Sequence, residues 1–545
     1  MKSLILICLG AAVAAGQTRE EALAAMKKAT EFFRDKVSTH GGYHFTYTDD
    51  LSYGRSEHSE TPHRVEVQRE GTPRVGMAYL EAYDATADRT FLDAARAAAH
   101  MLVKGQLCSG GWDYFTEFDP AERKYYPYRA DHNCSPAQKK GKPVTTLDDN
   151  VTQACVRLLM RADRALQFED KAIHEATLFA LESLLRAQYP IGAWPQRFSE
   201  FPDPAKFPVR QASYPAAWPR KWPGTDYQGH YTFNDNTISD AIDVMLEAAR
   251  IYKDARYLAA AGKGGGFILK AQMPDPQPAW AQQYDIDMHP VWARMFEPPS
   301  ITGGESFGIM RTLMVLYRET GDRKYLEPIP RALAYLKRSV LPPVDREVEA
   351  RRRIPKGAPV MARFYELRTN KPLYITKGTM IRGKGVSNIS RPDGYELSYS
   401  DASVITHYGV LVSGAELPLI EAEYQRLAAA DKAQIRRPEK LHGLSPWTER
   451  QDRRQAIPVK KIIDSMDPRG AWTEEGIIGK ADKVVSVFAA REMVLTINGR
   501  PIPIKENDNI ELFEGKQPPR TRIIRSATFA ENLEALAGFV KAPGR

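Results

Sequence analysis

Three helical segments of this chain end in glutamine and run through a short turn into a tryptophan: Gln106 before Gly111-Trp112, Gln188 before Ala193-Trp194, and Gln272 before Ala279-Trp280. The spacing is 82 to 86 residues, so one structural unit is laid down repeatedly. Each unit reads as helix, short Asp-containing turn, second helix. Ala82-Tyr83 leads through Asp88 to Phe91-Leu92, Ala249 and Tyr252 lead through Asp254 to Tyr257-Leu258, and Leu316-Tyr317 leads through Gly321-Asp322 to Tyr325-Leu326. The first helices of two units share a pattern: Val151, Ala154, Cys155, Leu158, Leu159 and Ala162 match Ile238, Ala241, Ile242, Met245, Leu246 and Ala249 at i, i+3, i+4, i+7, i+8 and i+11. Hairpins that each bury one stripe predict an all-α fold, an α/α toroid or incomplete α/α barrel with long loops and minor β elements. The helix-entry loops of such a ring gather at one end and line a groove.

Immediately before those two helices stand Thr146-Leu147-Asp148-Asp149-Asn150 and Thr232-Phe233-Asn234-Asp235-Asn236. N-capping explains one Asp or Asn at such a place, because its side chain accepts a free backbone N–H of the first turn. Two or three in succession, repeated in two hairpins, exceed what a cap needs and point to function. The long loops Pro202 to Tyr231 and Gln272 to Ser300 add to this, since loops of that length in a compact domain tend to carry function. Trp112, Trp194, Trp218, Trp222 and Trp280 lie in the loops, where an aromatic face suits a sugar ring and packing on the core is the equal alternative.

With 545 residues, 43% hydrophobic and 26% charged, the chain is neither disordered nor fibrous. The net charge of +8 favours an anionic partner. It is dispersed, and its densest cluster, Arg351-Arg352-Arg353 with Lys356, is too short to predict nucleic-acid binding. Lys2, the apolar run Leu4 to Leu9, and Ala11 to Gly16 read as a signal peptide over 1–16, which predicts a secreted or periplasmic protein. Nothing after it is apolar for long enough to span a bilayer, and a monomer is expected. Cys108 and Cys134 read either as a disulfide or as buried thiols. The cysteine and histidine spacings contain no CxxC or HExxH, which argues against a structural zinc site and a zincin. Gly378 to Gly385 lacks the Ser or Thr of a phosphate-binding loop, and Gly262 to Gly266 lacks a preceding strand. The division expected is a toroid over 17–345, with 346–545 a C-terminal part of the same domain. That part holds a β-prone run at Pro372 to Ile375 and helices at about Ala415 to Ala430 and Thr528 to Val540, the last with Phe529, Leu533, Leu536 and Phe539 on one face.

Six ordered blocks over about residues 75–375 resemble the family 10 polysaccharide lyases, the α-helical pectate lyases. They are Thr146 to Asn150, Ala193-Trp194-Pro195-Gln196-Arg197-Phe198, Tyr231 to Asn236, Trp280-Ala281-Gln282-Gln283-Tyr284-Asp285, Ala293-Arg294-Met295-Phe296-Glu297-Pro298, and Ala362-Arg363-Phe364-Tyr365-Glu366-Leu367 with Thr369 to Pro372. The resemblance implies calcium-assisted β-elimination of α-1,4-linked polygalacturonate. The C5 proton of a galacturonate is weakly acidic because its removal places a second negative charge beside the carboxylate, so the carboxylate must be neutralised by Ca²⁺ and an arginine fork.

By that resemblance Asp148 matches the acidic residue of the substrate and calcium site, and Asp149 stands where the family's pattern has Asn, an extra carboxylate that either strengthens Ca²⁺ binding or repels substrate. Asp235 and Asn236 in the second tip and Trp194 are further substrate-binding candidates. Arg294 matches the proposed base and Arg363 the arginine that pairs with a substrate carboxylate. Ion pairs with Glu297 and Glu366 are the bland alternative for these two. A second substrate arginine has no counterpart, because Thr376-Lys377 stand about there. The competing functions are a glycoside hydrolase on the same toroid, with its acid and base among Asp148, Asp149, Asp235 and Glu297, and a non-catalytic binder of acidic glycans.

Overall fold

Each apolar stripe is the inner helix of a ring, and each Asp-containing turn leads to an outer helix that runs back along it. The computed structural model describes residues 19–131, 134, 144–224, 226–343, 354–355, 357–377, 386–390, 395–399, 411–435, 437, 458–479, 484–488, 492–497, 500–504, 509–513 and 519–541. The signal peptide, the Arg351 to Arg353 and Lys356 cluster, and the Gly378 to Gly385 loop lie outside the described residues.

In chain order the helices are α1 (19–32, running on into Phe33–Val37), α2 (Thr72–Thr86), α3 (Arg89–Gly105), α4 (Val151–Ala165), α5 (Lys171–Ala187), α6 (Thr237–Tyr252), α7 (Ala255–Ala271), α8 (Glu305–Thr320), α9 (Ile329–Arg338), α10 (Glu416–Ala429), α11 (Val459–Asp464) and α12 (Ser526–Lys541). Helices α2, α4, α6 and α8 are successive neighbours on the inner row, α3, α5 and α7 lie outside them, and α8 and α9 both pack on α10. The two ends of the chain supply a further pair. Helix α12 lies against α2, and Phe33 at the end of α1 stacks on Phe529 of α12 with ring centroids 3.7 Å apart. The closing helix thus packs on the ring as expected through Phe529, Leu533 and Leu536, whereas Phe539 is exposed.

The repeated Gln and Trp are rivets of this ring. Gln106 Nε2 donates to the carbonyls of Gly110 (3.0 Å) and Ala176 (2.8 Å), Gln188 to Gly192 (2.9 Å) and Ala260 (2.9 Å), and Gln272 to Pro278 (3.0 Å) and Pro328 (2.9 Å). Each amide ties its own turn to the next outer segment. Trp112, Trp194 and Trp280 are fully buried, and their indole N–H groups donate to Leu102, Leu184 and Ile268 at the end of the preceding helix. This corrects the substrate role expected of Trp194, which has no face open to a groove. A further copy appears at Ala471-Trp472, where the indole donates to Ile462. Met466 stands six residues before it, as Gln106 and Gln188 do before their tryptophans.

Short ladders at one end of the ring join each repeat to the next. Thr145–Thr146 pairs with Arg197–Phe198, Tyr231–Thr232 with Gln283–Tyr284, and Ser300–Thr302 with Phe364–Glu366. At the other end lie the true caps, with Asp88, Asp170, Asp254 and Asp322 accepting backbone N–H groups at the starts of the outer segments. Pro372–Lys377 is a strand, as its β-prone run predicts, and the C-terminal part holds several small antiparallel sheets. Cys108 and Cys134 are disulfide-bonded, and Cys155 is a buried thiol. Among the described residues no helix is long and apolar enough to cross a membrane.

The Gly262 to Gly266 run is interior to α7 and serves packing. At Gly192 the backbone has φ +104°, and an added Cβ would lie 2.1 Å from the carbonyl oxygen of Lys263. Gly192→Ala is therefore expected to lower stability by roughly 2 kcal/mol or more in denaturant unfolding. Gly262→Ala, where a Cβ meets nothing closer than 3.9 Å in mid-helix, is expected to raise it by about 0.5–1 kcal/mol.

Candidate active site

The two acidic tips fold alike. Asp148–Asn150 and Asn234–Asn236 are single 3-10 turns, and Asp149 (φ 50°), Asn150 (φ 57°), Asp235 (φ 48°) and Asn236 (φ 59°) all adopt the left-handed conformation. Asp and Asn tolerate this region better than other side chains, which is one reason for those residue types here. Asn150 and Asn236 occupy the N-cap positions of α4 and α6, yet neither side chain makes a capping bond. Capping therefore does not account for the tips.

What the tips do is bring carboxylates together. Asp148, Asp149 and Asp235 each offer an oxygen within 4.8 Å of the others. Asp148 is buried, and its Oδ1 has no hydrogen-bond partner, while its Oδ2 accepts from the Tyr114 hydroxyl (3.1 Å) and Arg197 Nη2 (3.2 Å). Asp149 Oδ2 lies 3.3 Å from the same hydroxyl. Burial, then the charges of Asp148 and Glu57, push the Asp149 carboxyl up to about 6. Burial, then Asp148 and Asp149, hold the Asp235 carboxyl well above the usual range, against the pull of Arg363 and Arg294. A buried orphan acceptor inside a set of hard oxygen donors fits a divalent cation such as Ca²⁺, for which these three carboxylates would be ligands.

Three arginines ring the cluster. Arg294 Nη2 is 3.7 Å from Asp235, and its guanidinium grips Glu297 through Nε (3.0 Å) and Nη2 (2.8 Å). Glu297 is buried beneath it and also accepts from Gln282 (2.8 Å). Arg363 Nη2 donates to Glu305 (2.6 Å) and Asn234 (3.2 Å), and the Asn234 amide in turn donates to Asp235 (2.7 Å). The ion pair expected between Arg294 and Glu297 is present. That between Arg363 and Glu366 is replaced by Arg363–Glu305, because Glu366 is taken by Arg220 (2.5 Å). Within this group the carboxylates Asp148, Asp149, Asp235, Glu297 and Glu305 outnumber the guanidinium groups Arg197, Arg294 and Arg363, and Glu57 adds to the negative field, an excess that a divalent cation would offset.

Of the residues expected from sequence, Asp148, Asp149, Asp235, Arg294 and Arg363 converge. Asn236 does not join the carboxylates, since its amide oxygen lies against Gly308 of α8. Lys377 has no described side chain. Sequence reading missed Tyr114 and Glu305, and gave no role to Arg197 and Asn234 although both stand in the blocks that carry the family resemblance. Arg197 carried a signal, standing three residues after the repeat tryptophan Trp194 and opposite Thr146 in the ladder.

The sequence profile of the pectic acid lyase family matches residues 124–403. No curated protein matches the chain. Among solved structures, it is similar to a mutant family 10 polysaccharide lyase from Cellvibrio cellulosa in complex with trigalacturonic acid (21% identity, 64% of this chain and 98% of that one, TM-score 0.41). It is also similar to a GH76 alpha-mannanase of Bacteroides thetaiotaomicron (10% identity, 97% and 95%, TM-score 0.38) and a cellobiose 2-epimerase of Spirochaeta thermophila (17% identity, 60% and 71%, TM-score 0.36).

A carboxyl raised in the folded state stabilises below its unfolded pKa and loses that contribution as pH rises through its folded value. Without divalent cation, the Asp149 contribution is thus expected to fall between about 4 and about 6. Ca²⁺ is expected to raise the melting temperature at pH 8 and to have little effect at pH 4.5. Asp235→Asn is expected to stabilise the cation-free protein at pH 8 by about 1–2 kcal/mol and to remove most of the Ca²⁺ increment, read by calorimetry.

Proposed function

The chain belongs to the pectic acid lyase family, and from that premise we propose that it is an exported pectate lyase (EC 4.2.2.2) cleaving α-1,4-linked polygalacturonate by calcium-assisted β-elimination. The observation that carries this reading is the Asp148, Asp149 and Asp235 cluster flanked by Arg294 and Arg363. Polygalacturonate carries a carboxylate on every sugar and needs a cationic bed. An all-carboxylate cluster supplies one only when it holds metal.

In the proposed reaction Arg363 takes the carboxylate of the reacting uronosyl residue, with Glu305 and Asn234 fixing its fork. Ca²⁺ held by Asp148, Asp149 and Asp235 would neutralise charge that develops beside that carboxylate. Arg294, oriented by the buried Glu297 and acting in its neutral form, which Arg363 and a cation bound beside it would favour, removes the C5 proton. The C5–H electron pair becomes the C4–C5 double bond, the C4–O bond breaks, and the glycosidic oxygen leaves and takes a proton from solvent. Burial of Glu297 under Arg294 removes that carboxyl as the acid of the hydrolase alternative, which is left with Asp148, Asp149 and Asp235. Export is supported by the signal-like residues 1–16 and by the Cys108–Cys134 disulfide, which suits an oxidising compartment.

An ultraviolet rise from unsaturated uronate on polygalacturonate, dependent on Ca²⁺ and abolished by a chelator, tests the reading; substrate binding with no rise contradicts it. Arg294→Ala is expected to lower kcat by roughly 100-fold or more with KM little changed. A free guanidinium ionises above about 12 and a lysine near about 10.4. The rate is therefore expected to climb with alkaline pH, and the residual activity of Arg294→Lys to climb at lower pH.

A further inference from the structure

The residues matched by the family profile begin at 124, yet part of the site wall comes from earlier in the chain. Tyr114, whose hydroxyl contacts Asp148 and Asp149, carries on its ring the imidazole of His58, stacked with centroids 4.0 Å apart and planes 27° from parallel. His58 is exposed, and its ring lies within electrostatic range of the carboxylates Glu57 and Asp113 as well as of Arg197 and Asp148.

The segment that presents it is tightly fixed. Glu66, fully buried, accepts through Oε2 from the His58 backbone N–H (3.2 Å) and from Ser59 Oγ (3.1 Å). Ser59 Oγ also meets His44 Nδ1 (3.1 Å), Ser56 N–H donates to the Ser59 carbonyl (2.8 Å), and Ser56 Oγ accepts from Phe45 N–H (2.9 Å). An exposed residue held by buried polar groups is preorganised, so a ligand that uses it loses little entropy in ordering it.

We propose that His58, stacked on Tyr114, is the floor of a subsite for a neighbouring uronosyl residue of the polysaccharide, on the Asp148 flank of the cluster, with the Arg197 guanidinium beside it to take that residue's carboxylate. This rests on the pectate lyase reading. A polyuronate chain that meets Arg294 and Arg363 on one flank continues past the reacting sugar, and Arg197, which donates to Asp148 (3.2 Å) and to the hydroxyl of the Tyr114 on which His58 stacks (3.0 Å), is a guanidinium on the Asp148 flank. A sugar's C–H face stacks on a flat ring while its carboxylate pairs with a planar fork.

The test is steady-state elimination on polygalacturonate by wild type, His58→Ala and His58→Phe. It is combined with calorimetric binding of trigalacturonate to Arg294→Ala and to the Arg294→Ala, His58→Ala double variant, all with Ca²⁺. His58→Ala is expected to raise KM at least 10-fold with kcat within two-fold and to weaken trigalacturonate binding to a similar degree, while Ca²⁺ affinity is unchanged. His58→Phe, which keeps a flat ring, is expected to restore most of the loss. Wild-type elimination with KM and binding unmoved by His58→Ala overturns the subsite and leaves the lyase reading intact. No wild-type elimination, with trigalacturonate binding still weakened by His58→Ala, overturns the lyase reading and keeps the subsite. Loss of Ca²⁺ affinity in His58→Ala assigns the residue to the cluster's support and overturns the proposal.

Discussion

Three carboxylates held within 4.8 Å of one another repel, and much of the surrounding architecture answers that repulsion. Each tip sits at the start of an inner helix, α4 or α6, whose first-turn N–H groups give a partial positive charge. Tyr114 and Arg197 hold Asp148, and Asn234 and Arg294 hold Asp235. What remains is expressed in the raised carboxyls of Asp149 and Asp235, which favour protonation or a bound cation. A bound cation would relieve this repulsion and, under the proposed function, would let a polyanionic substrate approach.

The repeat explains how arginines reach this place. Three successive tips offer an acid, Asp148, Asp235 and Glu305, and three successive following segments offer an arginine, Arg197, Arg294 and Arg363. Arg197 lies in the first ladder and Arg363 directly precedes the strand of the third, whereas the second ladder has Gln283 at the place of Arg197 and its arginine, Arg294, comes from the loop that follows. Function differs around the ring by small departures from one plan. At the third tip the acid is Glu305 in the first turn of α8, and it is bonded to Arg363 outside the carboxylate cluster.

The ring was legible in the sequence because its determinants are periodic: the stripe starting at Val151 and that starting at Ile238, the Asp turns, and the Gln and Trp pairs. The copy at Trp472 was hidden because Met466 replaces the rivet glutamine and α11 is only six residues long. The core site was legible through the doubled acids and a family resemblance, while Tyr114 and Glu305 were not, since nothing local distinguishes them from packing residues. Trp194 misled because exposed and buried tryptophans look alike in sequence; its indole bond to Leu184 is a tertiary fact. Asn236 misled for a related reason. The left-handed backbone at Asp235 and Asn236 sends adjacent side chains apart, one toward the cluster and one toward Gly308.

The most direct test of this account is a crystal structure of the protein grown with Ca²⁺ at alkaline pH, with anomalous scattering used to locate the ion. The account predicts one cation shared by Asp148, Asp149 and Asp235, bonded to the Asp148 oxygen that is otherwise buried without a partner. A Ca²⁺ ion bound elsewhere, or full Ca²⁺-dependent elimination with this cluster empty, would contradict it.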